Sequence, residues 1–383
     1  MLEIFALTLG AIHFALPLAY YIYLKRYLNK PWGLKIDKNH MPMVSIIVPT
    51  YNEAFLINRK LDDILKQDYP KEKMEIIVVD SASIDGTLIK VKQWKEKHKE
   101  ISLNIIEENE RKGKAQSLNT ALKHVNNEII VLTDADSFWD KESLKESVKY
   151  FSDNRIGAVT AIKEPILNSR SNSIVESTYR SFYNLVRVAE SKIHSTPIFH
   201  GELAAFRREL IDKIGGFSMK IGADDSHSAT LIALRGYRAI AAKEVLAYEL
   251  TPRSWRSYFT WRIRRGKHLI QHFLKSLRKI LKAPKGFKMV LAIESFLHLF
   301  NPWLLLIAII LFIVSIVINP LSFLNLTIIF TLLVAILVKY SRKVLFIWIL
   351  NQVILIYSMI AGIRSKEIIW KKIEELRDKT IEM

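Results

Sequence analysis

Two aspartates, Asp134 and Asp136, are separated by a single alanine at the point where an apolar run ends. Carboxylates in this arrangement can converge on one hard divalent cation, because Mg²⁺ and Mn²⁺ prefer oxygen ligands. A cation held there could neutralise a diphosphate and stabilise it as a leaving group. A solvated acidic turn has the same spacing, so the pair by itself leaves both interpretations open.

Three further polar features have residue types suited to the same chemistry. Asp80 ends another apolar run and could accept hydrogen bonds from a base or a ribose, although acids in this position also start turns. Residues 111–114 form a basic turn before a helical pattern, which could bind phosphate or be a solvated loop. Asp224 and Asp225 open a helical pattern, where acids ordinarily pair with the helix dipole. If they face an acceptor hydroxyl, one of them could act as a general base.

Short apolar runs alternate with helical patterns between residues 43 and 250, and these elements must position the polar residues. The predicted strands cover residues 44–49, 75–80, 102–107 and 128–134. Such alternation predicts βαβ units and an α/β domain whose mostly parallel sheet is covered on both faces. Ligands bind these sheets at the carboxyl ends of the strands. The residues found at those ends are Glu53, Asp80, Asp134 and Asp136.

The loop after the first predicted strand contains no glycine. A nicotinamide-binding domain would carry G-x-G-x-x-G there, but residues 50–53 read Thr-Tyr-Asn-Glu. The chain also lacks the phosphate-binding pattern G-x-x-x-x-G-K-[ST]. Both nucleotide folds that depend on glycine cradles are therefore disfavoured.

The composition combines hydrophobicity with positive charge. Half of the 383 residues are apolar, 56 Lys and Arg face 38 Asp and Glu for a net charge of +18, and cysteine is absent. So much apolar surface excludes a disordered chain, and the lack of cysteine excludes a disulfide framework or a Cys-ligated metal site. A soluble nucleic-acid-binding protein would explain the charge but not the long apolar runs. A membrane protein with basic cytoplasmic flanks would explain both.

Four apolar runs are long enough to be predicted as membrane spans, at residues 2–24, 296–318, 321–338 and 344–363. Lys25 and Arg26 follow the first run, which favours an uncleaved anchor over a signal peptide and places residue 30 onward in the cytoplasm. Counting the spans from there places Asn319 outside, Lys343 inside and the C-terminal tail outside.

A series of motifs, taken in order, resembles one known family. From residue 44 to about residue 266 the chain resembles the inverting glycosyltransferases of family 2, which have the GT-A fold. The matching segments are residues 45–53, 78–87, 113–119, 134–137, 206–208, 214–217, 224–225 and 235–238. Flanking spans such as those above are typical of the membrane-bound branch of this family.

The resemblance implies a role for most of the residues singled out above. It assigns the donor nucleotide to Pro49, Tyr51, Glu53, Asp80, Lys114 and Asp134. Asp134 and Asp136 would form the D-x-D motif that binds Mg²⁺ or Mn²⁺, with Asp136 as the more direct ligand. Asp225 would be the catalytic base of the family's Glu-Asp pair, in which Asp224 replaces the Glu. It would take the proton of the acceptor hydroxyl in a single in-line displacement.

The chain departs from the family at the Q-x-x-R-W motif of processive polysaccharide synthases. In the nearest segment Trp261 stands for Gln and Arg265 for Trp, while Arg264 could still contact the diphosphate. The loss of the aromatic acceptor platform argues against a long-chain polymerase. The candidate donor or acceptor contacts are Asp224, His200, Gly201, Trp261 and Arg262. For His200, a polar histidine of the core is the alternative.

Residues 250–293 contain no acid but twelve Lys and Arg, a segment we call the basic belt. Leu269, Ile270, Phe273, Leu274 and Leu277 recur at helical spacing within it. This pattern predicts an amphipathic helix in the membrane interface, and the adjacent spans argue against nucleic-acid binding.

Together these observations predict a multi-pass protein of the cell membrane with a cytoplasmic catalytic domain. Its parts would be an anchor at residues 1–30, a GT-A domain at 31–252, an interfacial segment at 253–290, membrane helices at 291–365 and a polar tail at 366–383. The predicted activity is transfer of a sugar from a nucleotide-diphosphate donor to a lipid-linked or membrane-proximal glycan acceptor. The alternatives are a processive polysaccharide synthase and a non-catalytic membrane scaffold.

Overall fold

The computed structural model describes residues 1–166, 171–364 and 375. Within them an eight-stranded sheet has the order β3-β2-β1-β4-β7-β6-β8-β5. The strands are β1 (Val44–Thr50), β2 (Met74–Ser81), β3 (Ser102–Glu108), β4 (Ile129–Leu132), β5 (Ser137–Trp139), β6 (Ile156–Pro165), β7 (Ala204–Arg207) and β8 (Arg238–Glu249).

Helices cover the sheet and continue beyond it at both ends of the chain. They are α1 (Leu2–Leu28), α2 (Ile57–Leu65), α3 (Thr87–Lys97), α4 (Lys114–Leu122), α5 (Ser143–Val148), α6 (Ser171–Ile193), α7 (Arg208–Lys213), α8 (Asp224–Leu234), α9 (Trp255–Leu277), α10 (Lys285–Leu299), α11 (Asn301–Ile318), α12 (Phe323–Leu337) and α13 (Lys339–Arg364).

The sheet is mostly parallel, as predicted. β1 pairs in parallel with β2 and β4, and β2 with β3, whereas β7 and β5 run antiparallel to their neighbours. The apolar residues of β1 alternate between two hydrophobic clusters, with Ile46 in one and Ile47 in the other. Both faces are therefore buried, which explains why the strands read as continuous apolar runs. The four predicted strands are confirmed.

Three helices within the described residues are long and apolar enough to cross a membrane: Leu2–Leu28, Asn301–Ile318 and Ser341–Gly362. The run predicted to start at residue 296 is split between α10 and α11, because Pro302 favours the first turn of a new helix. α12 has 15 residues and a length of about 22 Å, which is short for a bilayer core of roughly 30 Å. The prediction of about three C-terminal spans is thus met by two helices and one shorter apolar helix.

One described residue of the tail lies beside the sheet domain. The carboxylate of Glu375 accepts hydrogen bonds from the backbone N–H and the hydroxyl of Ser254, at 2.6 and 3.0 Å, just before α9. Bonded groups cannot lie on opposite sides of a bilayer, so the prediction from span counting that the tail is outside is wrong at this residue. The rest of the predicted tail lies outside the described residues.

The basic belt forms α9, a 3₁₀ turn at Ile280–Lys282 and the start of α10. Ile270 and Phe273 are buried against the sheet domain, whereas Leu274 and Leu281 are 54% and 83% exposed. The apolar side of the predicted interfacial helix is therefore largely a protein contact, because α9 packs between the sheet domain and α13. The apolar side chains that point outward include Leu274, Leu281 and, at the start of α9, Trp255.

Candidate active site

A cavity of about 320 Å³ opens where β1 and β4 end and where α4 and α8 begin. Most residues predicted from the sequence line it. These are Pro49, Tyr51, Glu53, Lys114, Asp134, Asp136, His200, Gly201, Asp224, Asp225, Trp261, Arg262 and Arg264. The exception is Asp80, which is not among the lining residues.

Asp80 lies buried at the end of β2 and supports the loop that follows. Its carboxylate accepts hydrogen bonds from the Thr50 hydroxyl at 3.0 Å and from the Ser83 hydroxyl and N–H at 2.6 and 2.9 Å. These contacts hold the ends of β1 and β2 together. Asp80 therefore acts here on the shape of the nucleotide side of the cavity.

Lys114 is the first residue of α4, preceded by Gly113 in a left-handed conformation. Its ammonium donates to Asp134 at 2.5 Å. Burial lowers the pKa of Lys114, but Asp134, Asp224 and Asp225 together raise it above its usual value. Burial also raises the pKa of Asp134 to about 6, with Lys114 opposing the shift. A cation is thus in direct contact with the D-x-D motif.

Asp225 is in the first turn of α8, where it lines the cavity. Burial, followed by repulsion from Asp224, raises the pKa of Asp225 to about 7. A carboxyl with this pKa is suited to accept a proton near neutral pH. The Oδ2 atom of Asp224 is buried and has no hydrogen-bond partner within the described chain, which leaves it for a ligand.

Gly201 is the residue at which these groups meet. A Cβ atom there would lie 2.7 Å from Lys114 Nζ, 3.2 Å from Asp225 Oδ2 and 3.5 Å from Asp134 Oδ2. Its φ angle is not in the left-handed region, so the backbone alone does not require glycine. The lack of a side chain keeps open the space between the candidate base and the metal-binding carboxylate.

The carboxylates fit a metal that is shared with a substrate. Asp134 and Asp136 both line the cavity, yet no group of three acidic, His or Cys side chains in the described residues could hold a metal ion by itself. Mg²⁺ and similar ions are commonly bound by one or two carboxylates together with substrate phosphates. A cation at this site would complete its ligands with water or with the phosphate oxygens of a substrate.

Comparison with known proteins agrees with this geometry. The model of the family described as "Glycosyl transferase family 2" matches residues 45–215. The structure of the mannosyltransferase PcManGT from Pyrobaculum calidifontis, in complex with GDP-Man and Mn²⁺, is 46% identical and has a TM-score of 0.84. The match covers 96% of this chain and 100% of that one. The chain belongs to glycosyltransferase family 2.

Curated relatives of this glycosyltransferase are longer and more distant. The probable glycosyltransferase YdaM of Bacillus subtilis is 27% identical over 64% of this chain and 60% of its own length. The UDP-forming cellulose synthase catalytic subunit of Pseudomonas fluorescens is 26% identical over 70% of this chain and 37% of its own. The chain therefore spans less than two thirds of either relative.

The segment that carries the metal-binding motif of the glycosyltransferase is held by a residue that the sequence analysis missed. Lys60 of α2 is fully buried, donates to the carbonyl of Ser137 at 3.0 Å and lies 4.2 Å from the Trp139 ring. Asp63, 3.3 Å from Lys60, accepts the backbone N–H of Trp139. The sequence does contain a signal for this buried position, because Lys60 lies at helical spacing with the apolar residues Ile57 and Ile64 of α2.

The loop around Gly201 is fastened to the same segment. The carbonyl oxygen of Glu202 accepts from the Thr133 hydroxyl at 2.9 Å, the Trp139 indole N–H at 2.7 Å and the Ser137 hydroxyl at 3.3 Å. These bonds fix the loop against the metal-binding motif. Because of these bonds, Ser137 and Glu202 stay in contact although they are 65 positions apart in the sequence.

The altered Q-x-x-R-W segment of the glycosyltransferase forms a salt-bridged stack. The Arg265 guanidinium lies 4.0 Å from the centre of the Trp261 ring and pairs with Glu202 and Glu249. Lys163 bridges the same two carboxylates at 2.7 and 3.0 Å. An ionic network thus surrounds Arg265, the residue that stands for the Trp of the Q-x-x-R-W motif.

Proposed function

We propose that this glycosyltransferase is membrane-bound and inverting, and that it transfers mannose from GDP-mannose to a sugar hydroxyl at the membrane surface. The observation that carries the proposal is the convergence of Lys114, Asp134 and Asp225 on the open space at Gly201. This arrangement brings a base and diphosphate-binding groups to one point. The donor is suggested by the PcManGT structure, which contains GDP-Man and Mn²⁺.

Each residue would have a distinct task in a single displacement. Asp225 takes the proton from the acceptor hydroxyl as that oxygen bonds to the anomeric carbon. The bond from this carbon to the donor diphosphate breaks on the opposite face, so the configuration inverts. Lys114 pairs with the departing diphosphate. A divalent cation bound by Asp134 and Asp136 would supply further positive charge for that leaving group.

The nucleoside would occupy the side of the cavity formed by Pro49, Tyr51 and Glu53, all of which line it. Arg111 stacks over the Tyr51 ring at 4.0 Å and extends this wall. Arg264 lines the opposite part of the cavity, where burial lowers its pKa to about 10 and Asp136 favours its charged form. It would contact the diphosphate from α9.

The membrane would lie against α1, α11 and α13, with the catalytic domain on the cytoplasmic side. Lys25 and Arg26 at the end of α1 support this orientation. The exposed Leu274 and Leu281, next to the lysines of the basic belt, would contact lipid head groups. In this arrangement residues 31–252 would be the catalytic domain, residues 253–290 the interfacial segment and residues 291–365 the membrane helices.

A processive polysaccharide synthase is the second candidate, because a cellulose synthase subunit is among the relatives. The Arg265 network argues against it, since a charged, paired side chain offers no ring face for a growing glycan. The length of the product distinguishes the two functions. A non-catalytic scaffold, the third, predicts no nucleotide release at all.

The test is a panel of nucleotide sugars supplied to the purified protein with Mn²⁺ or Mg²⁺ and native lipid extract, scored by nucleotide release. GDP-mannose with Mn²⁺ should give the highest rate, and Asp225→Asn and Asp136→Ala should each lower it strongly. Asp212→Asn, an exposed acid on α7, is the matched control and should behave as the unaltered protein. Equal release by all four proteins, or none with any donor, would refute the proposal.

A further inference from the structure

The cavity has a second wall that the donor chemistry does not use. Arg180 of α6 and Arg262 of α9 line it, together with Asn351 and Ile354 of α13. We call this set the arginine wall. These helices lie outside the sheet edge where the nucleotide would bind, and α13 contains one of the candidate membrane spans.

The two arginines share one carboxylate. Glu176 Oε1 is 2.6 Å from Arg180 Nε, and Oε2 is 3.2 Å from a terminal nitrogen of Arg262. The Tyr258 hydroxyl also donates to Glu176, at 2.8 Å. In the part of the chain that the structure describes, no other acid lies within ion-pair distance of either guanidinium. Two buried guanidinium groups therefore face a single negative charge.

Neighbouring groups respond to this excess of positive charge. Burial lowers the pKa of His200 well below its usual value, and Lys163 and Arg180 lower it further. The pKa of Lys163 is also lowered, first by burial and then by Arg180 and Arg265. An uncompensated charge in a buried cavity is costly, and a bound anion would remove the cost.

Two other groups of cations in the cavity are matched by acids. Arg265 and Lys163 face both Glu202 and Glu249. Arg187 likewise contacts two carboxylates, from α6 and α10. Compared with these groups, Arg180 and Arg262 have too few acids. Arg262 also donates a hydrogen bond to the Asn351 side chain and lies over the Tyr179 ring. The terminal N–H groups of Arg180 and the positive charge that the two guanidinium groups share suit the oxygens of a phosphate.

We propose that the arginine wall binds the phosphate or diphosphate of the acceptor, and that the acceptor is a sugar joined through that group to a lipid. This inference rests on the proposed function. The sugar hydroxyl would lie at Asp225, since a hydroxyl needs a base and a bare phosphate does not. Ile354 and Leu355 line the same wall, so the lipid would leave the cavity along α13.

The test measures binding of a lipid diphosphate without requiring the correct acceptor sugar. Farnesyl diphosphate, farnesol and inorganic diphosphate are titrated into the detergent-solubilised protein by calorimetry, with EDTA present so that no metal can hold the diphosphate at Asp134 and Asp136. Farnesyl diphosphate should bind at least tenfold more tightly than either of the other probes. If farnesol binds as tightly as farnesyl diphosphate, the proposed phosphate site is refuted. If inorganic diphosphate binds as tightly as farnesyl diphosphate, the proposal that the acceptor carries a lipid is refuted.

Variants then locate the site. Arg180→Gln and Arg262→Gln should each weaken farnesyl diphosphate binding at least tenfold without changing the affinity for farnesol, and Arg180→Lys should recover part of the loss. Arg256→Gln removes the same charge from the exposed face of α9 and should bind as the unaltered protein. Unchanged binding by folded Arg180 and Arg262 variants, checked by thermal unfolding, would overturn the assignment.

The proposed function is measured separately in the same preparations, as Mn²⁺-dependent binding of GDP-mannose and nucleotide release. Donor binding without farnesyl diphosphate binding would refute only the arginine wall. Farnesyl diphosphate binding without donor binding or nucleotide release would refute the proposed function instead.

Discussion

Replacing Gly201 by alanine should slow the enzyme substantially while leaving its fold intact. The added methyl group would lie 2.7 Å from Lys114 Nζ, about 0.8 Å inside an ordinary contact of about 3.5 Å. Lys114 is a flexible side chain and can move away, so the protein need not unfold. The backbone also tolerates alanine, because the φ angle of Gly201 is not positive.

The movement of Lys114 would break its hydrogen bond to Asp134, which is 2.5 Å long. A hydrogen bond to a charged group contributes about 1.5–3 kcal/mol. At about 1.4 kcal/mol per factor of ten, its loss predicts a decrease of roughly 10- to 150-fold in kcat/KM. The Asp225 carboxylate, 3.2 Å from the same methyl group, would add to the loss if it also shifts.

The assay is steady-state nucleotide release at varied donor concentration, with thermal unfolding measured in parallel. Gly10→Ala is the matched control, since nothing lies within 4 Å of its added methyl group. The double variant Gly201→Ala/Lys114→Gln should be no slower than Lys114→Gln, because both changes remove the same contact. A kcat/KM for Gly201→Ala within about twofold of the unaltered protein would refute the reasoning, as would additive losses in the double variant.

Three further outcomes follow from the same geometry. Because Asp225 acts in its ionised form and burial raises its pKa to about 7, kcat/KM should rise with pH and level off above that value. Asp225→Asn should cost about 10²–10⁴-fold in transfer and flatten this profile; a pH-independent rate in the unaltered protein would contradict the assignment. Asp136→Ala should weaken Mn²⁺ binding measured by calorimetry in the presence of GDP, whereas an unchanged affinity would exclude it as a ligand. Lys60→Met should lower the free energy of unfolding by about 3 kcal/mol, because it leaves Asp63 buried without its cation. Chemical denaturation measures this, and a loss below about 1 kcal/mol would show that the pair contributes little.

Local pattern was enough to predict the sheet domain. The strands are apolar runs because both sheet faces are buried, and their polar ends mark the ligand-binding edge. The D-x-D motif was therefore found from its position after an apolar run, and Asp224 and Asp225 from their position at the start of a helical pattern. The N-terminal span was equally readable, since a run of apolar residues ended by Lys25 and Arg26 needs no tertiary context.

Local sequence patterns could not predict which polar side chains are buried or which residues pair with one another. A lysine such as Lys60 usually lies on the surface, and only the packing of α2 under the metal-binding segment buries it. Ile270 and Phe273 have the spacing of a membrane-facing stripe, yet they contact the protein, since periodicity identifies an apolar face but not its partner. The position of Glu375 relative to the sheet domain was mispredicted for a related reason, because counting apolar runs cannot show that this residue contacts Ser254.

The sequence by itself determined the fold class, the family resemblance and the acidic residues that could do the chemistry, because these depend on neighbours along the chain. Only the tertiary structure decided that Lys114, Gly201 and Asp225 share one small space, since they come from separate elements. It also decided that Arg180 and Arg262 share the single acid Glu176. The distance between residues that are far apart in the sequence depends on how the helices pack on the sheet. Local sequence patterns do not specify that packing.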